Sequence, residues 1–589
     1  MMFRLIKNYV KQYKKYAFLT MFLVMFEAAA EVMMPYVMSL LIKYGIGEVN
    51  DQGIVTSEGD IKLLLLYGGG MLLLAILSMI AGTLAARTAV TASQGFAKNL
   101  RQAEFHKIQD YSFANIDKFS TASLVTRLTT DVTNTASAFQ MTIRMMMRAP
   151  VMLIFAIIMI ALTNPTLLWV YLVAVPVLVI GLTVIMLSSY PSFRTMLKKY
   201  DAMNASVQEN LIAIRAVKAF VRKDYEDAKF LVSSSDVRKA QVKAERIMNC
   251  GMPMMQFVMY SCMIAVVYIC SSQMIQMPGK FQPADLTAYI SYVMMILMSL
   301  MMISMFLVNL VLSRASMKRI TEVLEEIPDI SDEHANPTLE VENGDIEFQN
   351  VSFSYAKDPN NLTLEEVNLK IPSGSTVGII GGTGSSKTTF VQLIPRLYDV
   401  LTGSIKVGGH DVRDYKLDTL RNAVAMVLQK NVLFSGSIKE NLKWGNEDAT
   451  MEEIVEACKQ AQADEFIQNL PGKYDMDLGQ GGVNVSGGQK QRLCIARALL
   501  KKPKVLILDD STSAVDMATD AKIRHSFKTM MPDVTKIIIA QRIASVEDAD
   551  IILVFNEGKI VDMGNHEQLI QSSTIYKEVY ESQKKGVSE

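Results

Sequence analysis

A glycine-rich run in the second half of the chain ends in a lysine followed by two threonines. The run lies between the apolar residues 377–380 and a predicted helix, and it comprises Gly381, Gly382, Thr383, Gly384, Ser385, Ser386, Lys387, Thr388 and Thr389. The backbone N–H groups of such a loop, together with the helix N-terminus, would face a bound anion. Lys387 would reach the β- and γ-phosphates of a nucleotide, and Thr388 would bind Mg²⁺.

One position of this phosphate loop departs from the usual pattern. Ser386 occupies the position before the lysine, where a glycine is common. A serine fits there if its φ is negative, because the left-handed region is costly for residues with a Cβ. We therefore expect a negative φ at Ser386 and retained nucleotide binding.

A second motif, residues 485–492, precedes the apolar run 505–508 that ends in Asp509. With this motif the sequence resembles the ATP-binding cassette (ABC) family, and the resemblance covers essentially the whole chain. The resemblance implies a signature motif that contacts the γ-phosphate held by a partner's phosphate loop, made here by Ser486, Gly487, Gly488 and Gln489.

The resemblance also implies roles for four further residues of an ATP and Mg²⁺ site. Tyr355 matches the aromatic residue that stacks on adenine, and Gln429 matches the glutamine that joins Mg²⁺ to the transport domain. Asp509 would hold Mg²⁺ through water, in addition to Thr388. Asp516 matches the loop that crosses a dimer interface.

Two positions differ from an active member of the resembled family. Asp510 stands where a glutamate polarises the attacking water, and its carboxylate is withdrawn by about 1 Å, an error that can cost on the order of a hundredfold in rate. Gln541 replaces a histidine that contacts the γ-phosphate, and an amide cannot carry a positive charge. We therefore expect ATP at this chain's own site to be bound firmly and hydrolysed slowly.

An intact signature motif beside a poor catalytic pair predicts a heterodimer. A homologous half-transporter would supply the glutamate and histidine of a second, competent site, which Ser486 to Gln489 would complete. The alternative is a homodimer in which Asp510 serves as a slow base.

Composition divides the 589 residues into two unlike parts, because most of the 40 methionines and the long uncharged runs lie in the first half. We predict an all-α membrane domain with six transmembrane helices at 1–320, with an N-terminal interfacial helix and two cytoplasmic coupling regions. A linker at 321–341 and a C-terminal α/β P-loop ATP-binding cassette domain at 342–589 would follow. The formal net charge of zero gives no indication of nucleic-acid binding.

Runs of about 20 apolar residues can cross a bilayer as helices. Six such runs lie at roughly 16–43, 63–86, 141–163, 167–189, 247–275 and 286–312. Residues 45–60 contain no lysine or arginine, whereas 87–148 and 198–246 are basic, which places both termini in the cytoplasm. The compact architecture favours the plasma membrane of a prokaryote.

Three shorter segments of the membrane half have predicted roles. Phe3, Ile6, Val10 and Tyr13 share one face of a basic N-terminal helix, which suits the inner leaflet surface. Segments 111–128 and 209–220 resemble the coupling regions that press on the ATPase domains. The five cysteines show no metal spacing, and we expect none to form a disulfide.

The transported compound is the least determined feature. Glu27 and Glu31 share a face of the first span, where they could attract a cationic substrate or pair with Arg144 and Arg148. The methionine-rich helices could line an adaptable cavity or face lipid. Two functions of different class stay open: one half of an ATP-driven exporter of amphipathic drugs, lipids or peptides, or a regulatory subunit that binds ATP as a clamp.

Overall fold

The computed structural model describes residues 2–49, 55–276, 282–510 and 514–588. The chain divides into two compact units. The first, the membrane unit, contains Met1–Ile108 and Ala122–Glu325, and the second, the cassette unit, contains Gln109–Thr121 and Glu326–Glu589.

The first part of the chain is almost entirely helical. Its helices are α1 (Met2–Tyr9), α2 (Lys14–Leu40), α3 (Ile61–Gln109), α4 (Phe113–Phe119), α5 (Thr121–Thr126), α6 (Val132–Thr163), α7 (Leu168–Ile212), α8 (Ile214–Ala219), α9 (Lys223–Met248), α10 (Gly251–Gln276) and α11 (Pro283–Glu325). Short 3-10 or π-helical turns at Lys11–Tyr13, Leu41–Ile46, Arg127–Asp131 and Pro165–Leu167 extend four of them.

Among the described residues, six helical stretches are long and apolar enough to cross a membrane. They are Lys11–Ile46, Ile61–Gln109, Thr121–Thr163, Pro165–Ile212, Lys223–Gln276 and Pro283–Glu325. Each contains one of the six predicted spans, so the prediction of an all-α membrane domain with six apolar helices is confirmed. Two short antiparallel strands, β1 (Gly47–Val49) and β2 (Val55–Glu58), lie in the segment 45–60, which contains no lysine or arginine. Residues 50–54 of this segment lie outside the described part.

The helices of the membrane unit pack around α6, which lies against α2 and α11. Small residues such as Ala28 and Ala156 are fully buried in this core and allow close helix approach. Asp131, directly before α6, accepts two hydrogen bonds from Arg319 of α11. One of them comes from Nε over 2.7 Å. Leu5 of α1 is also buried in this unit, whereas Phe3 is exposed.

The cassette unit combines two sheets with helices. Its strands are β3 (Ile346–Phe353), β4 (Leu364–Ile371), β5 (Thr376–Gly381), β6 (Thr402–Val407), β7 (His410–Asp411), β8 (Val424–Val427), β9 (Val505–Asp509), β10 (Thr535–Ile539), β11 (Ile551–Asn556) and β12 (Lys559–Gly564). Its further helices are α12 (Lys387–Leu393), α13 (Leu417–Ala423), α14 (Ile438–Lys443), α15 (Met451–Gln460), α16 (Asp464–Gln468), α17 (Gly487–Leu499), α18 (Met517–Met530), α19 (His566–Ser572) and α20 (Thr574–Ser588), with 3-10 turns at Lys473–Asp475, Gln480–Gly482 and Ile543–Ser545.

The larger sheet positions the predicted chemistry. Its strand order is β12-β11-β5-β10-β9-β8, and β11, β5, β10, β9 and β8 run parallel. The strands β9 and β10 are buried along their whole length, as expected for a parallel sheet covered on both faces. Because parallel strands end at one edge, the phosphate loop after β5, the carboxylates at the end of β9 and Gln541 after β10 meet there.

Candidate functional site

The phosphate loop connects β5 to α12, as the sequence predicts. Lys387 Nζ donates to the carbonyl oxygens of Gly381, over 2.8 Å, and of Gly382, over 2.7 Å. The Ser385 hydroxyl donates to the Gly382 carbonyl over 2.8 Å. Burial lowers the pKa of Lys387, and the nearby Asp509 and Asp510 carboxylates oppose that shift. The lysine is therefore held within the loop, with carboxylates close by.

The expectation of a negative φ at Ser386 is wrong. Ser386 has φ of 70° and ψ of 21°, in the left-handed region, and it forms the N-cap of α12 without a side-chain cap bond. The turn from loop to helix requires this conformation, which glycine adopts freely and a residue with a Cβ adopts at a cost of roughly 1–2 kcal/mol. Ser386 thus strains a loop that otherwise keeps the phosphate-binding pattern.

A hydroxyl and a carboxylate lie together at the predicted magnesium position. Thr388 Oγ1 donates to Asp509 Oδ1 over 3.0 Å. Burial raises the pKa of Asp509, the Thr388 hydrogen bond lowers it, and Asp510 raises it further. This pair of oxygen donors fits a hard cation such as Mg²⁺, whose charge would offset the buried carboxylate.

Gln429 is less closely connected to these groups. It is exposed, two residues beyond β8, and its backbone carbonyl accepts a hydrogen bond from Asn431 over 3.4 Å. Among the described residues, no hydrogen bond joins its side chain to Thr388 or Asp509. The structure therefore places Gln429 in a surface loop after the neighbouring strand.

The two residues that depart from the family pattern are direct neighbours. Gln541 Nε2 donates to Asp510 Oδ2 over 2.6 Å. Asp510 is buried and has φ of 48°, and its N–H donates to the Ile539 carbonyl at the end of β10 over 3.1 Å. The parallel pairing of Asp509 with Ile539 brings the two residues to the same edge. The uncharged amide of Gln541 thus donates to Asp510, whose side chain is one methylene shorter than that of a glutamate.

Tyr355 lies against α12, the helix that follows the phosphate loop. Its hydroxyl is hydrogen-bonded to Thr389 Oγ1 over 3.0 Å, and its ring packs edge-on against Phe353 and Tyr398. The residue remains 50% exposed, which leaves ring surface available for stacking on a base. The position suits the predicted contact with adenine.

The signature residues form the N-terminus of α17. The Ser486 hydroxyl accepts from the Gln489 N–H over 3.4 Å, and Gln489 Oε1 accepts from the Ser486 N–H over 2.9 Å, which is a capping box. A Cβ on Gly488 would lie 2.7 Å from the Ala514 carbonyl oxygen, so only glycine fits. The helix N-terminus with its glycines is suited to face an anion.

Gln491 is a residue of this region to which the sequence analysis assigns no role. It is buried, and its Oε1 accepts from the Ala514 N–H over 3.1 Å. Ala514 precedes Asp516, whose Oδ1 accepts from the Thr519 N–H over 2.9 Å and so caps α18. Gln491 therefore connects the signature helix to the predicted interface loop. Its place two residues after Gln489 in the same motif was the available signal.

The first predicted coupling region belongs in part to the cassette unit. Its helix α4 begins with a capping box between Ser112 and Asn115. Tyr398, one turn beyond α12, donates to Asp117 Oδ2 over 2.7 Å and also packs on Phe113 and Tyr355. Burial and this hydrogen bond raise the pKa of Tyr398. One side chain thus joins α4 to Tyr355, the residue that is predicted to stack on adenine.

A charged cluster lies among the apolar helices of the membrane unit. Arg148 Nη1 donates to Glu27 over 2.9 Å, and Arg148 Nη2 donates to Glu31 over 2.7 Å. In the described part of the chain, Arg144 makes no ion pair with either glutamate. The pairing alternative therefore holds for Arg148 alone.

The five cysteines are free.

A P-loop ATPase fold that follows six apolar helices in one chain defines an ATP-driven membrane protein. The family model of the ABC transporter transmembrane region matches residues 17–323, and the family model described as ABC transporter matches residues 364–513. The chain belongs to the ABC transporter family, in its form with fused membrane and ATPase domains.

Several known proteins are similar along all or most of the chain. The uncharacterized ABC transporter ATP-binding protein YfiB of Bacillus subtilis is 37% identical, over 98% of each chain. The putative multidrug export ATP-binding/permease protein YgaD of Bacillus subtilis is 31% identical, over 97% of this chain and 98% of its own. The ATP-dependent lipid A-core flippase of Desulfotalea psychrophila is 31% identical, over 83% and 85%. A solved bacterial Atm1-family ABC exporter with ATP bound shares the fold, with a TM-score of 0.79, 23% identity and coverage of 97% and 98%.

Proposed function

We propose that this chain is one half of a heterodimeric ATP-driven exporter, in which its own ATP site is degenerate. The hydrogen bond from Gln541 to Asp510 is the observation that carries the proposal. Asp510 would have to accept a proton from water, yet it is shortened and already accepts from Gln541. Neither residue can supply the positive charge that would stabilise a developing phosphate anion.

The signature end of the same chain supports the asymmetry. Ser486, Gly487, Gly488 and Gln489 form a complete, capped helix N-terminus in which glycine is required at position 488. A helix N-terminus of this kind can complete an ATP site whose phosphate loop belongs to a partner chain. A homologous half-transporter with a glutamate and a histidine at the positions of Asp510 and Gln541 would therefore make the competent site.

In the proposed mechanism, the residues of this chain hold ATP more than they cleave it. Tyr355 stacks on the base, Lys387 and the loop N–H groups bind the phosphates, and Thr388 with Asp509 binds Mg²⁺. Asp516 lies at the interface of the two cassettes, and Gln429 reports the nucleotide state toward the membrane helices. Closure of the cassettes turns the membrane cavity outward, and hydrolysis at the partner's site reverses it, as a two-state switch.

The membrane setting and the relatives support a proposal for the substrate class. The printed names of two relatives concern multidrug export and a lipid A-core flippase. We infer amphipathic compounds, either drugs, lipids or peptides, taken from the cytoplasm or the inner leaflet. The chain would lie in a prokaryotic plasma membrane with both termini in the cytoplasm, with a membrane domain at 1–320, a linker at 321–341 and the cassette at 342–589.

The first test measures ATP turnover in lipid nanodiscs, with this chain alone and with the product of an adjacent homologous gene. Near-zero turnover alone and robust turnover for the pair would support the heterodimer. Comparable turnover for the chain alone would make Asp510 a working base and would contradict the asymmetric site.

Two matched variants locate the chemistry within the pair. Ser486→Asp keeps a residue that can cap α17 but places a negative charge toward the partner's γ-phosphate, so turnover should fall on the order of a hundredfold. Lys387→Ala weakens only this chain's own phosphate site and should cost far less. The reverse order would place hydrolysis at this chain's site. Transport that depends on the partner's glutamate would support the exporter, whereas full biological activity without any hydrolysis would favour the regulatory function instead.

A further inference from the structure

One side chain of the C-terminal helix α20 is hydrogen-bonded to the loop that carries Gln541. Gln583 of α20 makes two hydrogen bonds to the backbone of residues 541–543, the Gln541 loop. Its Nε2 donates to the Gln541 carbonyl over 2.8 Å, and its Oε1 accepts from the Ile543 N–H over 2.9 Å. These backbone groups lie beyond the end of β10, where the sheet no longer pairs them. One amide therefore satisfies a donor and an acceptor on both sides of Arg542.

The helix that presents Gln583 is itself firmly attached. Tyr576 is fully buried, and its hydroxyl is hydrogen-bonded to His566 Nδ1 over 2.8 Å. Val579 and Tyr580 pack against the same apolar core. Gln583 follows Tyr576 by seven residues, so the two share one face of α20 with Val579 and Tyr580 at the intervening positions. The buried anchor thus fixes where the Gln583 amide can reach.

The Gln583 contact bears directly on the degenerate site. The Gln541 loop is held on one side by Gln583 and on the other by the hydrogen bond of Gln541 to Asp510. Loss of the Gln583 hydrogen bonds would free the peptide groups on both sides of Arg542, which orient the Gln541 side chain. We propose that Gln583 is a positioning residue: it locks the Gln541 loop so that the Gln541 amide stays beside the γ-phosphate position and prolongs ATP retention. This role rests on the proposed degenerate site.

The first experiment measures how firmly Gln583 holds the Gln541 loop in the absence of nucleotide. Hydrogen exchange of the Ile543 amide is followed in the full-length chain in nanodiscs, with Gln583→Ala and with the neighbouring exposed Ser582→Ala as control. Gln583→Ala should accelerate exchange by about tenfold, the factor expected when hydrogen bonds worth a net 1.4 kcal/mol are lost. Ser582→Ala should leave exchange unchanged. Unchanged exchange in Gln583→Ala would overturn the proposal.

The second experiment tests whether Gln583 affects ATP retention through Gln541. Gln583→Ala should shorten the residence time of ATP several-fold and leave ADP affinity within twofold, because ADP lacks the γ-phosphate. A general loss of structure would weaken both nucleotides. In a double-mutant cycle, Gln583→Ala should add nothing in a Gln541→Ala background. An equal effect of Gln583→Ala in both backgrounds would contradict positioning through Gln541.

The two experiments separate failure of the inference from failure of the proposed function. If Gln541→Ala does not change ATP residence, the proposed contribution of Gln541 to the degenerate site is wrong. Faster exchange in Gln583→Ala would then still establish the attachment of the loop, but its consequence for ATP retention would be refuted. Gln583→Glu keeps the acceptor for the Ile543 N–H and loses the donor to the Gln541 carbonyl, so it should restore exchange protection only in part.

Discussion

The side-chain amide of Gln541 donates a hydrogen bond to the carboxylate of Asp510 over 2.6 Å. Each of these residues alone could be a conservative replacement, but together they form a closed pair. The acid lacks the reach of a glutamate, and the amide occupies one of its oxygens. This pairing is the reason that we propose slow chemistry, although Lys387, Thr388 and Asp509 lie close together at the same edge of the sheet.

We predict that Asp510→Glu combined with Gln541→His raises ATP hydrolysis at this site on the order of a hundredfold, the magnitude that a misplacement of about 1 Å can cost. The longer acid would reach the attacking water, and the imidazole would replace an amide that cannot become charged. Single-turnover phosphate release from the chain in nanodiscs would measure the gain.

Two controls accompany the double variant. Asp510→Asn should remain as slow as the natural chain, because an amide cannot act as a base. Adding Lys387→Ala to the double variant should remove the gain if the hydrolysis occurs at this phosphate loop. A double variant with no gain would show that the two replacements are not the main defect.

Much of the site could be predicted because its elements are local. A glycine-rich loop between an apolar strand and a helix, and carboxylates at the end of another apolar strand, follow from the order of residue types near Gly381 and Asp509. The parallel sheet then brings them together without further information. The six spans could be predicted for a similar reason, since length and apolarity alone decide them.

The features that the sequence could not predict depend on contacts between distant segments. The left-handed φ of Ser386 is imposed by the turn into α12, and residue type alone does not reveal it. Tyr398 reaches Asp117 across 281 positions of sequence. The choice of Arg148 over Arg144 as partner of the glutamates depends on how α6 is rotated against α2, and periodicity within either helix cannot determine that rotation.

We predict that Ser386→Gly stabilises the cassette by about 1 kcal/mol, because glycine adopts φ of 70° without the Cβ penalty. Urea unfolding of the purified chain, followed at the cassette transition, would measure the change. Ser385→Gly is the matched control. Ser385 does not have a positive φ and its hydroxyl donates to the Gly382 carbonyl, so that variant should destabilise. Equal effects of the two variants would contradict strain at Ser386.

We predict that Tyr398→Phe loosens α4 from the cassette by about 1 kcal/mol, since the variant keeps the ring contacts but loses the hydrogen bond to Asp117. Hydrogen exchange over residues 113–119 should become faster, whereas ATP affinity should change little. Tyr355→Phe removes the other tyrosine hydroxyl of the pair, which bonds Thr389, and should leave exchange in α4 unchanged.

We predict that Arg148→Met destabilises the membrane unit by about 3 kcal/mol, because it leaves Glu27 and Glu31 close together without their cation. Unfolding in mixed micelles, followed by circular dichroism, would measure the loss. Replacing all three charges, with Glu27→Gln and Glu31→Gln added, should recover most of the stability. If the triple variant were as unstable as Arg148→Met, packing and not charge would be the cause.

The same cluster makes a prediction for the facing helix α3. A Cβ on Gly82 would lie 2.8 Å from Glu27 Oε1, whereas a Cβ on Gly70 of the same helix would meet nothing within 4 Å. Gly70→Ala should therefore be neutral or stabilising by up to about 1 kcal/mol through helix propensity. Gly82→Ala should be destabilising despite the same gain, because it pushes the Glu27 carboxylate away from Arg148. In an Arg148→Met background, Gly82→Ala should destabilise the protein less, because the Glu27 carboxylate no longer has a bond to Arg148 to lose. If the destabilisation were the same in that background, its cause would be the packing of the helices and not the ion pair.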